Sequence, residues 1–169
     1  MPSCGPGKKK CLTKISNGFI IMVDKKGRIQ MKRLFALLFT KMVCSEIKIR
    51  FSNSGSYFDF NSDCIYLDPN ENDCGFLRHL SQVHKCGFSN DYSLLVWSIL
   101  HEIGHYYTLD FCEDDDSEMR ILLAFCDGSL TEIQDAYFNL ESEWEATEWA
   151  IDFIIEHSKL CKIFSKILK

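Results

Sequence analysis

The chain has 169 residues, 46% hydrophobic and 25% charged, with nine Gly and three Pro. That length and balance suit one domain with its own core and exclude a disordered, collagen-like or repeat protein. The longest apolar runs, Phe19 to Val23 and Leu34 to Phe39, fall well short of the roughly 18 residues that span a bilayer, so a membrane protein is excluded. Phe19 to Val23 is also too short for a signal-peptide core and runs into Asp24, Lys25 and Lys26 instead of a cleavage site, so the expected location is the cytoplasm. Nine cysteines without a Cys-x-x-Cys pair indicate neither a disulfide framework nor a zinc ribbon and read as reduced core residues.

The net charge of -5 conceals a polarity. Residues 1–50 carry twelve Lys or Arg against Asp24 and Glu46, and residues 51–169 carry seven against twenty-two acids. No DNA-binding motif accompanies the basic arm, so a nucleic-acid partner is not expected and an arm folded over its own acidic body is the simpler reading.

Residues 1–16, with Pro2, Gly5, Pro6 and Gly7, read as a tail. Phe19 to Val23, a turn over Asp24 to Gly27, and Arg28 to Met31 predict a hairpin, and Arg33 to Cys44 has helical apolar spacing. Ile47, Ile49 and Phe51 alternate with Lys48 and Arg50; with Tyr57 to Phe60 and Cys64 to Leu67 they predict three short strands of a small antiparallel sheet. From Asp91 the pattern is helical, through Leu94, Leu95, Trp97, Ile99, Leu100 and Ile103, with Asp91 or Ser93 as N-cap. Ser117 can cap a short helix ending near Cys126, Ser129 and Glu132 form a capping box, and the absence of Gly and Pro from Ser129 to Lys169 predicts a helical carboxyl terminus. The fold class is therefore α+β, divided into a basic segment 1–46 and a domain 47–169.

His101-Glu102-Ile103-Gly104-His105 fits H-E-x-x-H on a predicted helix. Residues four apart lie on one helical face, so both imidazoles can reach one zinc ion (Zn2+). Glu102 lies beside that face, where a carboxylate can act as general base without being a ligand. Gly104 costs a helix about 1 kcal/mol relative to alanine, which points to close packing against another backbone.

A catalytic zinc takes three protein ligands and keeps one open position, so a third must come from elsewhere. A metzincin would need Gly at position 108 and His at position 111, which are Thr108 and Phe111, so an acidic ligand is favoured. In the segment 141–152, Glu141, Glu145, Glu148 and Asp152 fall in one stripe. Individually, Glu141, Glu143 and Glu148 read as a solvated acidic face. A dication would relieve repulsion wherever the stripe faces the core.

The pairing of His-Glu-Ile-Gly-His with a later Glu-x-Glu-Ala-x-x-aromatic-Ala segment, at Glu143, Glu145, Ala146, Trp149 and Ala150, resembles the ImmA/IrrE family of zinc peptidases. The resemblance covers about residues 47–155. It implies a zincin-like minimal metalloprotease fold, a gluzincin-like zinc site of His101, His105 and Glu145, and Glu102 as the catalytic base. It also implies a protein or peptide substrate, typically a transcriptional repressor in a phage, mobile-element or stress circuit, bound by strand addition. His157, Tyr106, Tyr107 and Tyr137 are candidate oxyanion donors. The chain departs from the family pattern at Thr147, where Asn is usual, and at Trp149, where Phe is usual. The competing reading is a non-catalytic, zinc-stabilised interaction module, and the presence of Glu102 argues against it because a structural site needs no base.

Overall fold

The computed structural model describes residues 25–70, 92–108, 137 and 140–169. The predicted tail, the strand Phe19 to Val23, the helix from Ser117 to Cys126 and the capping box at Ser129 and Glu132 lie outside the described residues. Within them, four helices and a small three-stranded mixed sheet make an α+β fold: α1 (Lys25–Val43), β1 (Lys48–Phe51), β2 (Tyr57–Asp59), β3 (Cys64–Leu67), α2 (Leu94–Tyr107), α3 (Glu141–Glu156) and α4 (Ser158–Leu168).

Two expectations are corrected here. Arg28 to Met31, expected in a hairpin, belongs to α1, which starts at Lys25. Ala36, Phe39 and Thr40 anchor the later turns of this helix in the core, and the helix-compatible run Ile29-Gln30-Met31-Lys32, none of it buried, continues it toward the N-terminus without a breaker. The sheet is also mixed, not antiparallel, with order β1-β3-β2. β3 pairs in parallel with β1, placing Ile49 beside Ile65, and antiparallel with β2, placing Phe58 beside the same Ile65. Alternation specifies which face a residue takes but says nothing about strand direction, so the pattern was right about faces and wrong about pairing.

The outer face of the sheet carries Arg50, Tyr66 and Tyr57 in register. Tyr57 stacks on Tyr66 at 4.7 Å and Arg50 donates to the Tyr66 hydroxyl at 3.1 Å. Between β2 and β3 the turn is held by Asp59, whose carboxylate accepts from the Asn61 N–H at 3.1 Å and from the Ser62 hydroxyl at 2.7 Å. Asp63 completes it with a φ of 48°, the left-handed conformation that Asp tolerates better than most residues.

Helix α2 is the centre of the molecule. Every residue from Leu95 to His105 is buried, as expected of a helix surrounded by other elements. Ser93 is its N-cap and accepts from the Val96 N–H at 3.3 Å, while the Ser93 N–H donates to the Ser165 hydroxyl of α4 at 3.0 Å. Helices α1 and α3 each pack on α2 and α4, not chiefly on each other. The carboxyl terminus is two consecutive helices with His157 at the junction, in agreement with its helical composition.

Segment 25–46 is not an appendage to the core. Ala36 and Phe39 join Ile65, Ile99, Leu100, Ala150 and Phe164 in one cluster, with Phe39 against Phe164 at 4.8 Å. Burial raises the Cys161 thiol to about 11, so this core cysteine is a neutral, unreactive thiol at neutral pH. Phe39→Ala is expected to lower the stability of the whole domain by about 3–5 kcal/mol, read as a shift of the denaturant midpoint in a single transition. An unchanged midpoint would mean that α1 folds apart from the core.

Candidate metal centre

Positions 101, 104 and 105 of α2 share one face, as do positions 143, 146 and 147 of α3, because i, i+3 and i+4 are neighbours on a helix. These two triplets face each other. A Cβ on Gly104 would run into the Ala146 carbonyl oxygen and would lie 2.9 Å from its Cα and 3.0 Å from its carbonyl carbon. Gly104 is thus the residue that lets the two backbones approach, as the sequence predicts. On either side of this contact stand the polar members: His101 and His105 on α2, Glu143 and Thr147 on α3.

The Nε2 of His101 lies 3.0 Å from one carboxylate oxygen of Glu143, and the Nε2 of His105 lies 3.4 Å from the other. The Nδ1 of His101 is 3.1 Å from the Thr147 hydroxyl. The imidazole centroids are 4.7 Å apart, and the Phe60 ring, just beyond β2, meets His105 edge-on at 6.1 Å. All three potential ligand residues are buried, and one ligand atom from each lies within 4.8 Å of the others. Glu102 is also buried, at 6% exposure, directly beside His101 in the chain.

Burial alone would raise the Glu143 carboxyl, but hydrogen bonds and charge from His101 and His105 outweigh it and hold the group well below the usual carboxylate range. The site can therefore keep an anion in a dry interior. Two imidazole nitrogens and one carboxylate oxygen make a donor set suited to a borderline divalent ion, and the residues present fit such an ion.

The structure brings together His101 and His105, as expected, but joins Glu143 to them instead of Glu145. The cause is helical phase. With about 100° per residue, Glu143, Ala146, Thr147, Ala150 and Ile154 fall on one face, and all five are buried. Glu145 is about 200° from Glu143, on the far side with Glu141, Glu148 and Asp152. Glu141, Glu148 and Asp152 are exposed and Glu145 is half-buried. Glu143, read from sequence as solvated, is instead 4% exposed. The phase of the small residues Ala146 and Ala150, whose face must meet Gly104, was the signal that could have selected Glu143 and Thr147.

Three of the candidate oxyanion donors, Tyr106, Tyr107 and His157, have partners outside the group. The Tyr106 hydroxyl donates to Glu46 at 3.3 Å, and the Tyr107 ring stacks on Trp149 at 5.1 Å. His157 packs on Phe153 at 4.4 Å, fourteen residues and about 20 Å of helix beyond Glu143. Tyr137 is 39% exposed. Comparison with protein-family models, with curated proteins and with solved structures gives no match.

Gly104→Ala sets two effects against each other: about 1 kcal/mol gained in helix propensity and a backbone clash with Ala146. The clash should win because the obstructing atoms are main chain. A net loss of about 1–3 kcal/mol in denaturant melts, together with weaker metal uptake, is the expected outcome.

Proposed function

We propose that this chain is a zinc metallopeptidase of zincin-like fold, with His101, His105 and Glu143 as metal ligands and Glu102 as general base. The observation that carries this reading is the convergence of two imidazole Nε2 atoms on one buried carboxylate, with a second buried carboxylate adjacent in the chain. Four buried ionisable groups are costly to desolvate, and a bound divalent ion would compensate that cost further than the histidine–carboxylate contacts do alone.

The chemistry that zinc supplies when bound is Lewis-acid polarisation of a peptide carbonyl and of a water molecule. The remaining work belongs to the chain. The Nδ1 of His101 lies 3.1 Å from the Thr147 hydroxyl, a partner that would accept from an Nδ1–H and so favour the tautomer whose Nε2 lone pair is free for a metal when one is bound. Glu143 offsets part of the ion's charge, and the Phe60 ring covers one side of His105. Glu102 takes a proton from the attacking water and delivers it to the leaving amine, the role a carboxylate beside the ligands can fill. Strand β2, an edge strand among the described residues, whose Phe58 packs on Tyr106 of α2 and which leads into Phe60, is the natural place for an extended substrate to add as a further strand. The motif resemblance favours a regulatory protein, such as a transcriptional repressor, as the substrate of this endopeptidase.

Two measurements test the reading. Zinc content of the purified chain, by elemental mass spectrometry, should be about one ion per chain. It should fall sharply in His101→Ala, His105→Ala and Glu143→Ala and survive in Glu145→Ala. Loss in Glu145→Ala with retention in Glu143→Ala would overturn the ligand assignment. Glu102→Gln should keep both zinc and fold while peptide cleavage falls at least about a hundredfold. Equal cleavage by both forms would remove Glu102 from the mechanism.

A further inference from the structure

Phe60 is 46% exposed, whereas the two rings it touches, Phe58 and His105, are each 6% exposed. It meets Phe58 edge-on at 5.0 Å and the ligand residue His105 edge-on at 6.1 Å. Its backbone is held as firmly. The turn that follows β2 is tied by the Asp59 carboxylate, which accepts from the Asn61 N–H and the Ser62 hydroxyl. A large apolar surface is thus presented to solvent at a fixed place beside the metal centre, and an apolar group that covered it would gain the hydrophobic stabilisation that exposure forfeits.

The other exposed side chains of β2 are engaged on the opposite face of the sheet. Tyr57 stacks on Tyr66, and the oxygens of Asp59 are taken by its own turn. Phe58 and Phe60, two residues apart, share the face toward α2, where Phe58 meets Tyr106 and Phe60 meets His105. A chain added along β2 places alternate side chains on that same face, and the one directly opposite Phe60 comes into side-chain contact with it. With a rise of about 3.4 Å per residue, a side chain packed on a ring 6.1 Å from His105 belongs to a residue close to the bond held at the metal.

Resting on the metallopeptidase reading, we propose that Phe60 is a specificity-determining residue, and that the peptide cleaved has a large apolar side chain, aromatic or branched aliphatic, packed on Phe60 within a residue or two of the scissile bond. The ring has no charge to select a cation or an anion, and Asp59, the nearest acid on the strand, is turned to the other face.

The test is to digest, with zinc-loaded protein, the peptides released from a denatured proteome by a glutamate-specific protease, and to read the cleavage sites by mass spectrometry. The wild type should enrich Phe, Tyr, Leu or Ile at one fixed position beside the cut and prefer such a peptide over its Ala counterpart by at least about tenfold in kcat/KM. In Phe60→Ala that ratio should fall toward one, and in Phe60→Glu the same position should favour Lys or Arg. Phe60→Leu should keep the apolar preference while lowering the aromatic-to-aliphatic ratio, and it decides the matter if Phe60→Ala loses zinc. A ring that only covers His105 would change zinc content or overall rate without moving these ratios. Cleavage with no apolar position, or with a preference that the Phe60 variants leave unchanged, would overturn the proposal and leave the metallopeptidase reading standing. Selection from a random-peptide phage library separates the two. Zinc-loaded Glu102→Gln should recover peptides that share a large apolar residue, and Glu102→Gln with Phe60→Ala should not. If the wild type cuts nothing but this selection behaves as expected, the peptidase reading fails and Phe60 still recognises an apolar peptide side chain; if the selection also shows no apolar residue, both fail.

Discussion

The contact of Gly104 with the Ala146 backbone is the constraint on which the rest of the site depends. A glutamate side chain is short, and it reaches two imidazoles on another helix only where the helix axes are unusually close. The same i, i+3, i+4 pattern occurs on both sides: His101, Gly104 and His105 face Glu143, Ala146 and Thr147. On each helix the small residue makes the approach and the flanking polar residues are carried into reach by it. The distances of 3.0 and 3.4 Å from Glu143 to the two histidines, and 3.1 Å from Thr147 to His101, follow from that one approach.

Energetically the arrangement is a polar island in an apolar core. Leu100, Ile103 and Ala150 belong to the buried cluster that surrounds the α2–α3 contact. A lone carboxylate there would be neutral or would expel itself, since an unpaired buried charge costs several kcal/mol. Glu143 stays ionised because its oxygens meet the histidine nitrogens. The balance is one of mutual dependence: the imidazoles compensate the carboxylate, and removing either partner leaves an uncompensated polar group in the interior. That dependence makes the cluster a strong constraint on how α2 and α3 can pack, whether or not an ion is bound.

The sequence was most legible where one local pattern decides the outcome. The Ser93 cap, the helix that carries His101 and His105, the strand alternation around Ile49 and Ile65, and the meaning of Gly104 all depend on nearest neighbours along the chain. It was least legible where an outcome depends on what lies across the fold. Strand direction is invisible to alternation, so the parallel pairing of β1 with β3 could not be read. The buried face of α1, Ala36, Phe39 and Thr40, exists only when α2 and α4 are present, so the sequence around its start could be read as a turn. Glu143 and Glu145 are both glutamates in an acidic segment, and only the phase of Ala146 and Ala150 against Gly104 separates them. An acidic stripe attracts attention by its regularity, but a regular row of like charges on a helix is what a solvated face looks like.

Helix α3 shows how one element can serve two environments. Its inner face is small residues with a single acid, and its outer face is acids with two exposed apolar side chains. The inner acid is stabilised by specific partners at fixed distance, whereas the outer acids need only water, which screens their mutual repulsion at physiological ionic strength. The two sets therefore constrain the protein differently. Exchanging one outer acid for another leaves the core untouched, but moving the inner acid by a single position rotates it by about 100° and takes it out of reach of both histidines. Helix α2, buried on all sides, has no such second face; its residues answer only to packing and to the polar cluster. The chemistry is accordingly placed on the element least exposed to perturbation from outside, and the outward-facing, charge-segregated surfaces are left to the helices that flank it.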